Sequence, residues 1–187
     1  MANYKTMALS EEQYIDILDT IEMGFGTSRP NPKVACALRL EANLGIRISD
    51  IVNLKLDDIV FESGRYRLNI IEQKTNKKRE FTVPLEVVEY IRRYNKKNGT
   101  KDDEYIFDIT ERAIQKHLKK VCDYLGYENI STHSFRKFFA TSIYKQNDYD
   151  IVLVQKLLQH SSPETTQRYI GISQKQIETA LNNHIRL

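Results

Sequence analysis

The chain has 187 residues and a formal net charge of +3, and charged residues make up 28% of it. This length fits one domain with short appendages, and the mild basicity permits nucleic acid as a partner without requiring it. Two cysteines, Cys36 and Cys122, exclude a disulfide framework and a zinc motif and favour a reducing compartment. No apolar run approaches about 18 residues and no signal-peptide core is present, so we expect a soluble, cytoplasmic protein.

The N-terminal part of the chain predicts a tail followed by three helices. In chain order these are a loose tail (Met1–Ala8), a helix begun by the capping box of Ser10 and Gln13, a loop (Met23–Asn31), a helix opened by Pro32 and stopped by Gly45, and a short helix (Asp50–Leu54) capped by Ser49. Arg47 lies in the tight connection between the last two helices, where packing fixes its side chain.

The periodicity then changes. Apolar residues alternate with polar ones around Leu68 and again from Arg79 to Pro84, which predicts two or three β-strands joined by the polar turn Gln73–Lys78. Helices follow from Leu85, over Glu111–Leu125, and over Ser173–Ile185. We therefore predict a mostly α fold with one small antiparallel β-sheet (α+β).

The stretch from Ser131 to Tyr169 contains the candidate chemistry. His133 and Arg136 fall in the first turn of a helix, and a second helix (Asp150–Leu158) ends just before His160. Ser162 and Pro163 then open a helix that carries Tyr169. A His-x-x-Arg pair by itself proves little, because with four histidines and many arginines such a pair has odds of about one in four of arising by chance. The evidence lies in the ordered set of residues.

Four segments resemble, in order, the signature boxes of the tyrosine recombinases, the phage-integrase family. They are ALRLEANLGIRISDIVNLKLDDI, QKTNKKREFTVPL, THSFRKFFAT and LLQHSSPETTQRY. The resemblance implies a catalytic domain over residues 9–172 that cleaves and rejoins double-stranded DNA through a covalent 3′-phosphotyrosine, without metal or cofactor. It also implies a homo-oligomer, a tetramer, on DNA. The family's usual N-terminal DNA-clamping domain is absent from the sequence, which indicates a fragment or a short form.

The resemblance assigns six site residues: Arg47, Lys74, His133, Arg136, His160 and Tyr169, the last as nucleophile. The hairpin is a residue or two longer than usual, which leaves Lys77 as an alternative to Lys74. Gln159 stands where the family usually has glycine, and Lys137 replaces a common histidine.

The chemistry of strand cleavage fits these assignments. Two guanidinium groups, Arg47 and Arg136, suit the charge that develops on the phosphate oxygens. Tyrosine has a pKa of about 10 and needs a proton acceptor, for which His133 is suited. A protonated Lys74 can supply the proton to the leaving 5′ oxygen, and His160 can donate a hydrogen bond to the phosphate.

Other interpretations remain open. Arg47 alone is more often an ion-pair partner, here for Asp50, and the run Lys74–Arg79 is usually a solvated turn. A nicking and resealing enzyme of the type IB topoisomerase kind has a similar site, and a non-catalytic helical DNA-binding module would keep the scaffold. The C-terminal segment (residues 173–187) docks either on a neighbouring protomer or on its own domain. The DNA target and the biological programme cannot be read from the sequence.

Overall fold

The computed structural model describes residues 6–171 and residue 182. The helices are α1 (Glu11–Met23), α2 (Pro32–Leu44), α3 (Ile48–Ile51), α4 (Leu85–Asn98), α5 (Glu111–Leu125), α6 (Thr132–Gln146), α7 (Ile151–Leu158) and α8 (Pro163–Ile170). The strands are β1 (Ile59–Glu62), β2 (Arg65–Ile71) and β3 (Lys78–Val83), preceded by a turn of 3-10 helix at Leu56–Asp58. The predicted mostly helical fold with a small sheet is confirmed. The predicted C-terminal helix and its docking lie outside the described residues.

Local side-chain caps begin several of these helices. Ser10 and Gln13 form the expected capping box of α1, and Ser162 accepts a hydrogen bond from the backbone N–H of Thr165 at the start of α8. The predicted cap of α3 is wrong. That helix begins directly after Arg47, whose backbone is extended, so Ser49 lies inside the first turn instead of preceding it.

The three strands form one antiparallel sheet in the order β1-β2-β3. Leu68 of β2 is paired with Ile59 of β1 and with Phe81 of β3, so one face of the sheet points into the core. The turn between β2 and β3 runs from Glu72 to Lys77, and β3 already begins at Lys78.

The chain divides into two compact units, Met1–Phe139 and Ala140–Leu187, with the boundary inside α6. The first unit has a hydrophobic core built by α1, α2, α4, α5 and the sheet, whose wholly buried members include Ile17, Leu38, Leu68, Ile91 and Ile114. In the second unit, Val154 and Leu158 of α7 and Thr166 of α8 are buried. Among the described helices none is long and apolar enough to cross a membrane.

Candidate active site

A groove of about 1130 Å³ on the first unit brings together three of the six predicted site residues. Arg47, Lys74 and His133 line it, although they come from three separate parts of the chain. Other lining residues come from α5, including Gln115 and Lys119, and from the segment between α5 and α6. The lining therefore contains three cationic side chains, Arg47, Lys74 and Lys119, and the imidazole of His133. It also contains three acidic side chains, Glu111, Asp123 and Glu128.

Arg47 is placed by the connection between α2 and α3. Its side chain is 20% exposed, and its Nη1 donates a hydrogen bond to Oε2 of Glu72 at 2.7 Å. The sequence suggested Asp50 as the ion-pair partner of Arg47, but the partner in the structure is Glu72. Asp50 instead accepts a hydrogen bond from the backbone N–H of Gln73 at 2.8 Å.

Glu72 lies at the end of β2 with its side chain 1% exposed. Besides Arg47, it accepts hydrogen bonds from Thr75 Oγ1 at 2.7 Å and from Arg79 Nη1 at 3.3 Å. Burial raises the pKa of Glu72, but hydrogen bonds from Thr75 and Arg47 and the charges of Arg47 and Arg79 outweigh it, so the pKa is lowered overall. The carboxyl group is therefore ionised at neutral pH.

Arg79 is almost wholly buried, at 1% exposure. Its guanidinium group donates to Glu72 and, through Nη2, to the carbonyl oxygen of Gly45 at 3.4 Å. Burial and the nearby charge of Arg136 lower its pKa to about 10, which still leaves it protonated at pH 7. The interpretation of Lys74–Arg79 as a solvated turn is wrong at Arg79, because β3 turns this side chain inward.

Lys74 lies in the exposed turn between β2 and β3 and lines the groove. Lys77, the alternative, lies in the same turn, where its carbonyl oxygen accepts a hydrogen bond from the backbone N–H of Glu72. Lys77 is not among the described residues that line the groove. This placement favours Lys74.

His133 lies in the first turn of α6, and Arg136 lies at the start of the second turn. Partial burial of the His133 ring and the positive charges of Arg136, Lys137, Arg47 and Lys74 lower its pKa to about 4. At neutral pH the imidazole is therefore uncharged and able to accept a proton. Arg136 is 1% exposed and is not among the residues lining the groove, although its charge acts on His133.

The positions that depart from the family pattern have local structural roles. Lys137 is buried, and its Nζ donates a hydrogen bond to the carbonyl oxygen of Thr6. Gln159 ends α7 in the left-handed conformation, with φ of 53°. This backbone conformation explains why a glycine suits that position, since L side chains are strained there.

The other two predicted residues lie in the second unit and contact each other. The rings of His160 and Tyr169 meet edge to face with centroids 5.1 Å apart. Nδ1 of His160 is 3.0 Å from Oγ1 of Thr166, a side chain that is wholly buried. The imidazole is thus held by α8, the helix that also carries the tyrosine.

Sequence reasoning missed the buried charged residues around the predicted site. The period-2 pattern of the strands contained a signal: Glu72 shares its parity with Leu68 and Ile70, and Arg79 shares its parity with Val83. Glu41 of α2 is also wholly buried, and burial, only partly offset by the charge of Arg136, raises its pKa well above the usual range.

Neither cysteine has the properties of a nucleophile. Cys122 lines the groove, but burial raises its pKa to about 11, and burial raises that of Cys36 to about 12. No three His, Cys, Asp or Glu residues of the described chain are grouped as a metal ion would require.

Comparison with known proteins agrees with the predicted family and fold. The model of the phage integrase family matches residues 8–176. The Bacillus subtilis (strain 168) protein named "Probable integrase/recombinase YoeC" is 34% identical over 139 residues, covering 71% of this chain and 74% of that protein. The chain belongs to the phage integrase family, and the predicted membership is confirmed.

Longer relatives and solved structures show the same likeness. Tyrosine recombinase XerC of Caldanaerobacter subterraneus is 32% identical over 158 residues, covering 79% of this chain and 43% of that protein. The XerA recombinase crystal structure superposes with a TM-score of 0.70 at 21% identity, over 100% of this chain and 67% of that one. The catalytic domain of bacteriophage HP1 integrase gives 0.65 at 19% identity, over 96% of both chains. The chain thus spans less than half the length of XerC and about the whole of an integrase catalytic domain.

Proposed function

We propose that this chain is a site-specific DNA recombinase domain that cleaves and rejoins DNA strands through a covalent 3′-phosphotyrosyl intermediate. The observation that carries the proposal is the convergence of Arg47, Lys74 and an uncharged His133 on one groove. Phosphoryl transfer is catalysed mainly by positioning and by stabilising charge on the phosphate oxygens, and these side chains supply both together with a proton acceptor.

In the cleavage step the hydroxyl oxygen of Tyr169 attacks the scissile phosphorus. The new bond joins the tyrosine oxygen to phosphorus, and the bond from phosphorus to the 5′ oxygen breaks. His133 accepts the tyrosine proton, and Lys74 gives a proton to the departing 5′ oxygen, which leaves as a free hydroxyl. Attack by a 5′ hydroxyl of another strand reverses the step and rejoins the DNA.

The arginines and the second histidine stabilise the phosphate during this exchange. A guanidinium group keeps its proton and can bind two phosphate oxygens at once, which suits Arg47 and Arg136 to a pentacoordinate phosphorus. His160, held by Thr166 on one nitrogen, donates a hydrogen bond to the phosphate from the other.

Double-stranded DNA is the proposed substrate, and a homotetramer on DNA is the proposed assembly. The solved relatives include XerH bound to its difH substrate in a post-cleavage complex and a lambda integrase dimer bound to a core site. The relatives reported above are named integrases or recombinases, which favours strand exchange over the topoisomerase alternative. Phosphate contacts dominate such binding, so we expect it to weaken steeply with salt.

Trapping of the covalent intermediate tests the proposal. The full chain is incubated with a pool of nicked duplexes that have randomised sequences, in which cleavage releases a short fragment and prevents rejoining. Protein–DNA adducts that survive denaturation are recovered, their DNA is sequenced, and the attached residue is mapped by mass spectrometry. We expect attachment at Tyr169 and none in Tyr169→Phe, which keeps the ring and should bind DNA nearly normally. Absence of any adduct, or attachment at another residue, contradicts the proposal.

A further inference from the structure

Glu72 connects Arg47 to the turn that contains Lys74, and strand cleavage requires both of these side chains to be correctly placed on the same phosphate. Oε2 accepts hydrogen bonds from Arg47 and from Thr75, each at 2.7 Å, and Oε1 accepts one from Arg79 at 3.3 Å. Its backbone N–H donates to the carbonyl oxygen of Lys77 at 3.0 Å, and its own carbonyl oxygen accepts from Asn76 at 2.9 Å. Glu72 therefore contacts a predicted catalytic arginine and both closes and braces the turn that contains Lys74.

We propose that Glu72 is a positioning residue that holds Arg47 and the Lys74 turn in one fixed relation. The arginine that binds the phosphate and the lysine that donates the proton are then correctly placed relative to each other before DNA binds. The inference rests on the proposed function, but it adds a residue that does not itself contact the reacting atoms. Glu72 is buried and absent from the lining of the groove, so it acts through its neighbours.

The geometry leaves Arg47 able to bind phosphate while Glu72 holds it. Of the hydrogen bonds formed within the described chain, Arg47 donates through Nη1 to Glu72. A guanidinium group has five N–H donors in a planar fork, so the Nη2 and Nε edge can still bind two phosphate oxygens. The carboxylate thus fixes the orientation of the plane and does not compete for the edge that the substrate uses.

Arg79 helps to keep the carboxyl group of Glu72 ionised, because it is buried beside that group. Its second bond, to the carbonyl oxygen of Gly45, ties β3 to the segment before Arg47. One buried carboxylate therefore faces two guanidinium groups. Arg136 adds a further positive charge beside Arg79, and the buried carboxyl group of Asp50 offsets part of it.

A change at Thr75 can separate the two effects of Glu72, which are the orientation of Arg47 and the support of the turn that carries Lys74. The Thr75 hydroxyl donates a hydrogen bond to Oε2 of Glu72, the oxygen that also binds Arg47, but among the described residues it forms no hydrogen bond with Arg47 itself. Thr75→Val removes that hydroxyl at nearly constant volume, and should loosen the turn alone. Glu72→Gln removes the charge that orients Arg47 and weakens the turn as well.

Glu80→Gln is the matched control. Glu80 lies on β3 of the same hairpin and pairs with Arg67 and Lys78, but its side chain is 34% exposed and it is not among the residues that line the groove. Neutralising it removes two surface ion pairs from the same sheet, which should change stability and cleavage little.

Single-turnover cleavage on two substrates gives the decisive measurement. One is a nicked duplex recovered with the wild-type protein; the other carries a 5′-bridging sulfur, which leaves without needing a proton. We expect Glu72→Gln to slow cleavage by about 100-fold on the oxygen substrate and about 10-fold on the sulfur substrate, since misplacement of a catalytic group by about 1 Å costs rate on that scale. Thr75→Val should be slowed by about 10-fold on oxygen and should match wild type on sulfur.

The outcomes separate this inference from the proposed function. If the wild-type protein forms no adduct, the proposed function fails. If the wild-type protein cleaves but Glu72→Gln is unaffected, or is slowed equally on both substrates, the coupling is disproved. Should Glu72→Gln fail to fold, as judged by circular dichroism, Thr75→Val still decides: an equal defect on both substrates, or none on oxygen, overturns the inference.

Discussion

The ring of Phe139 occupies the space that any side chain at Gly45 would need. A Cβ atom built on Gly45 would lie 2.3 Å from Cδ1 of Phe139, and Gly45 has a φ of 58°. The contact joins the segment that presents Arg47 to the helix that carries His133 and Arg136. Glycine is therefore required here both by the backbone and by the neighbouring ring.

Gly45→Ala should lower the free energy of unfolding by about 2–4 kcal/mol, from left-handed strain and from overpacking against Phe139. Gly126→Ala is the control, because Gly126 also ends a helix at positive φ but has open space where the Cβ would lie. It should lose only about 1 kcal/mol. Urea denaturation of both variants measures the difference. If both variants lost the same free energy of unfolding, the Phe139 ring would have to move aside without destabilising the protein.

Lys74→Ala should slow cleavage by about 100-fold or more on an ordinary nicked substrate, because proton donation to the leaving oxygen is lost. The same variant should cleave a 5′-bridging sulfur substrate almost as fast as the wild type. Lys77→Ala is the matched control from the same turn and should behave like wild type on both. Sulfur rescue of Lys77→Ala, without rescue of Lys74→Ala, would move the assignment by three residues.

The His133 imidazole should titrate near pH 4 instead of near pH 6.5. Because the pKa is lower in the folded protein, the unfolded chain binds more protons between these values. The contribution of His133 to the free energy of unfolding is therefore fully present above about pH 6.5 and is lost as the pH falls through about 4.

NMR titration of histidines labelled at Cε1 measures this pKa directly, with His133→Asn identifying the signal. The same variant should show a smaller loss of unfolding free energy on acidification. Addition of inorganic phosphate should raise the pKa, since an anion in the groove offsets the surrounding positive charges. A midpoint at or above 6.5 in the free protein would contradict the electrostatic account.

Gln159→Gly should raise the free energy of unfolding by up to about 1 kcal/mol, because glycine adopts the left-handed conformation at the end of α7 without strain. Asn129→Gly is a suitable comparison. Asn129 has a φ of 61°, and asparagine tolerates this backbone region better than glutamine. Asn129→Gly should therefore raise the free energy of unfolding less than Gln159→Gly does. Thermal melting of the two variants tests the order, and a loss of stability in Gln159→Gly would show that the glutamine side chain contributes more than its strain costs.

Features encoded within a few residues were predictable from the sequence. The capping box of Ser10 and Gln13 and the Ser162–Pro163 start of α8 depend only on neighbouring residues, and α5 has the predicted bounds. The predicted cap of α3 is wrong because serine is also a common residue within a first turn. Arg47 itself occupies the N-cap position, with an extended backbone and no capping hydrogen bond from its side chain.

Features that depend on distant residues were not predictable in the same way. Arg47 and Glu72 are separated by 25 positions, and nothing in either local segment indicates the ion pair. Asp50 was the nearer acidic residue, but its carboxylate is engaged by the backbone N–H of Gln73. Strand parity was the one sequence signal that Glu72 and Arg79 point inward, and the prediction of a solvated turn overlooked it; their partners are visible only in the folded sheet.

The burial of both thiols makes the chain suitable for site-directed labelling without removal of its native cysteines. Maleimide reagents attack the thiolate, and Cys36 and Cys122 have raised pKa values and little exposed surface. A single new cysteine at an exposed position, such as Lys77→Cys in the turn, would therefore take a fluorophore selectively. The emission of that fluorophore would report in real time on how the hairpin responds when a duplex enters the groove.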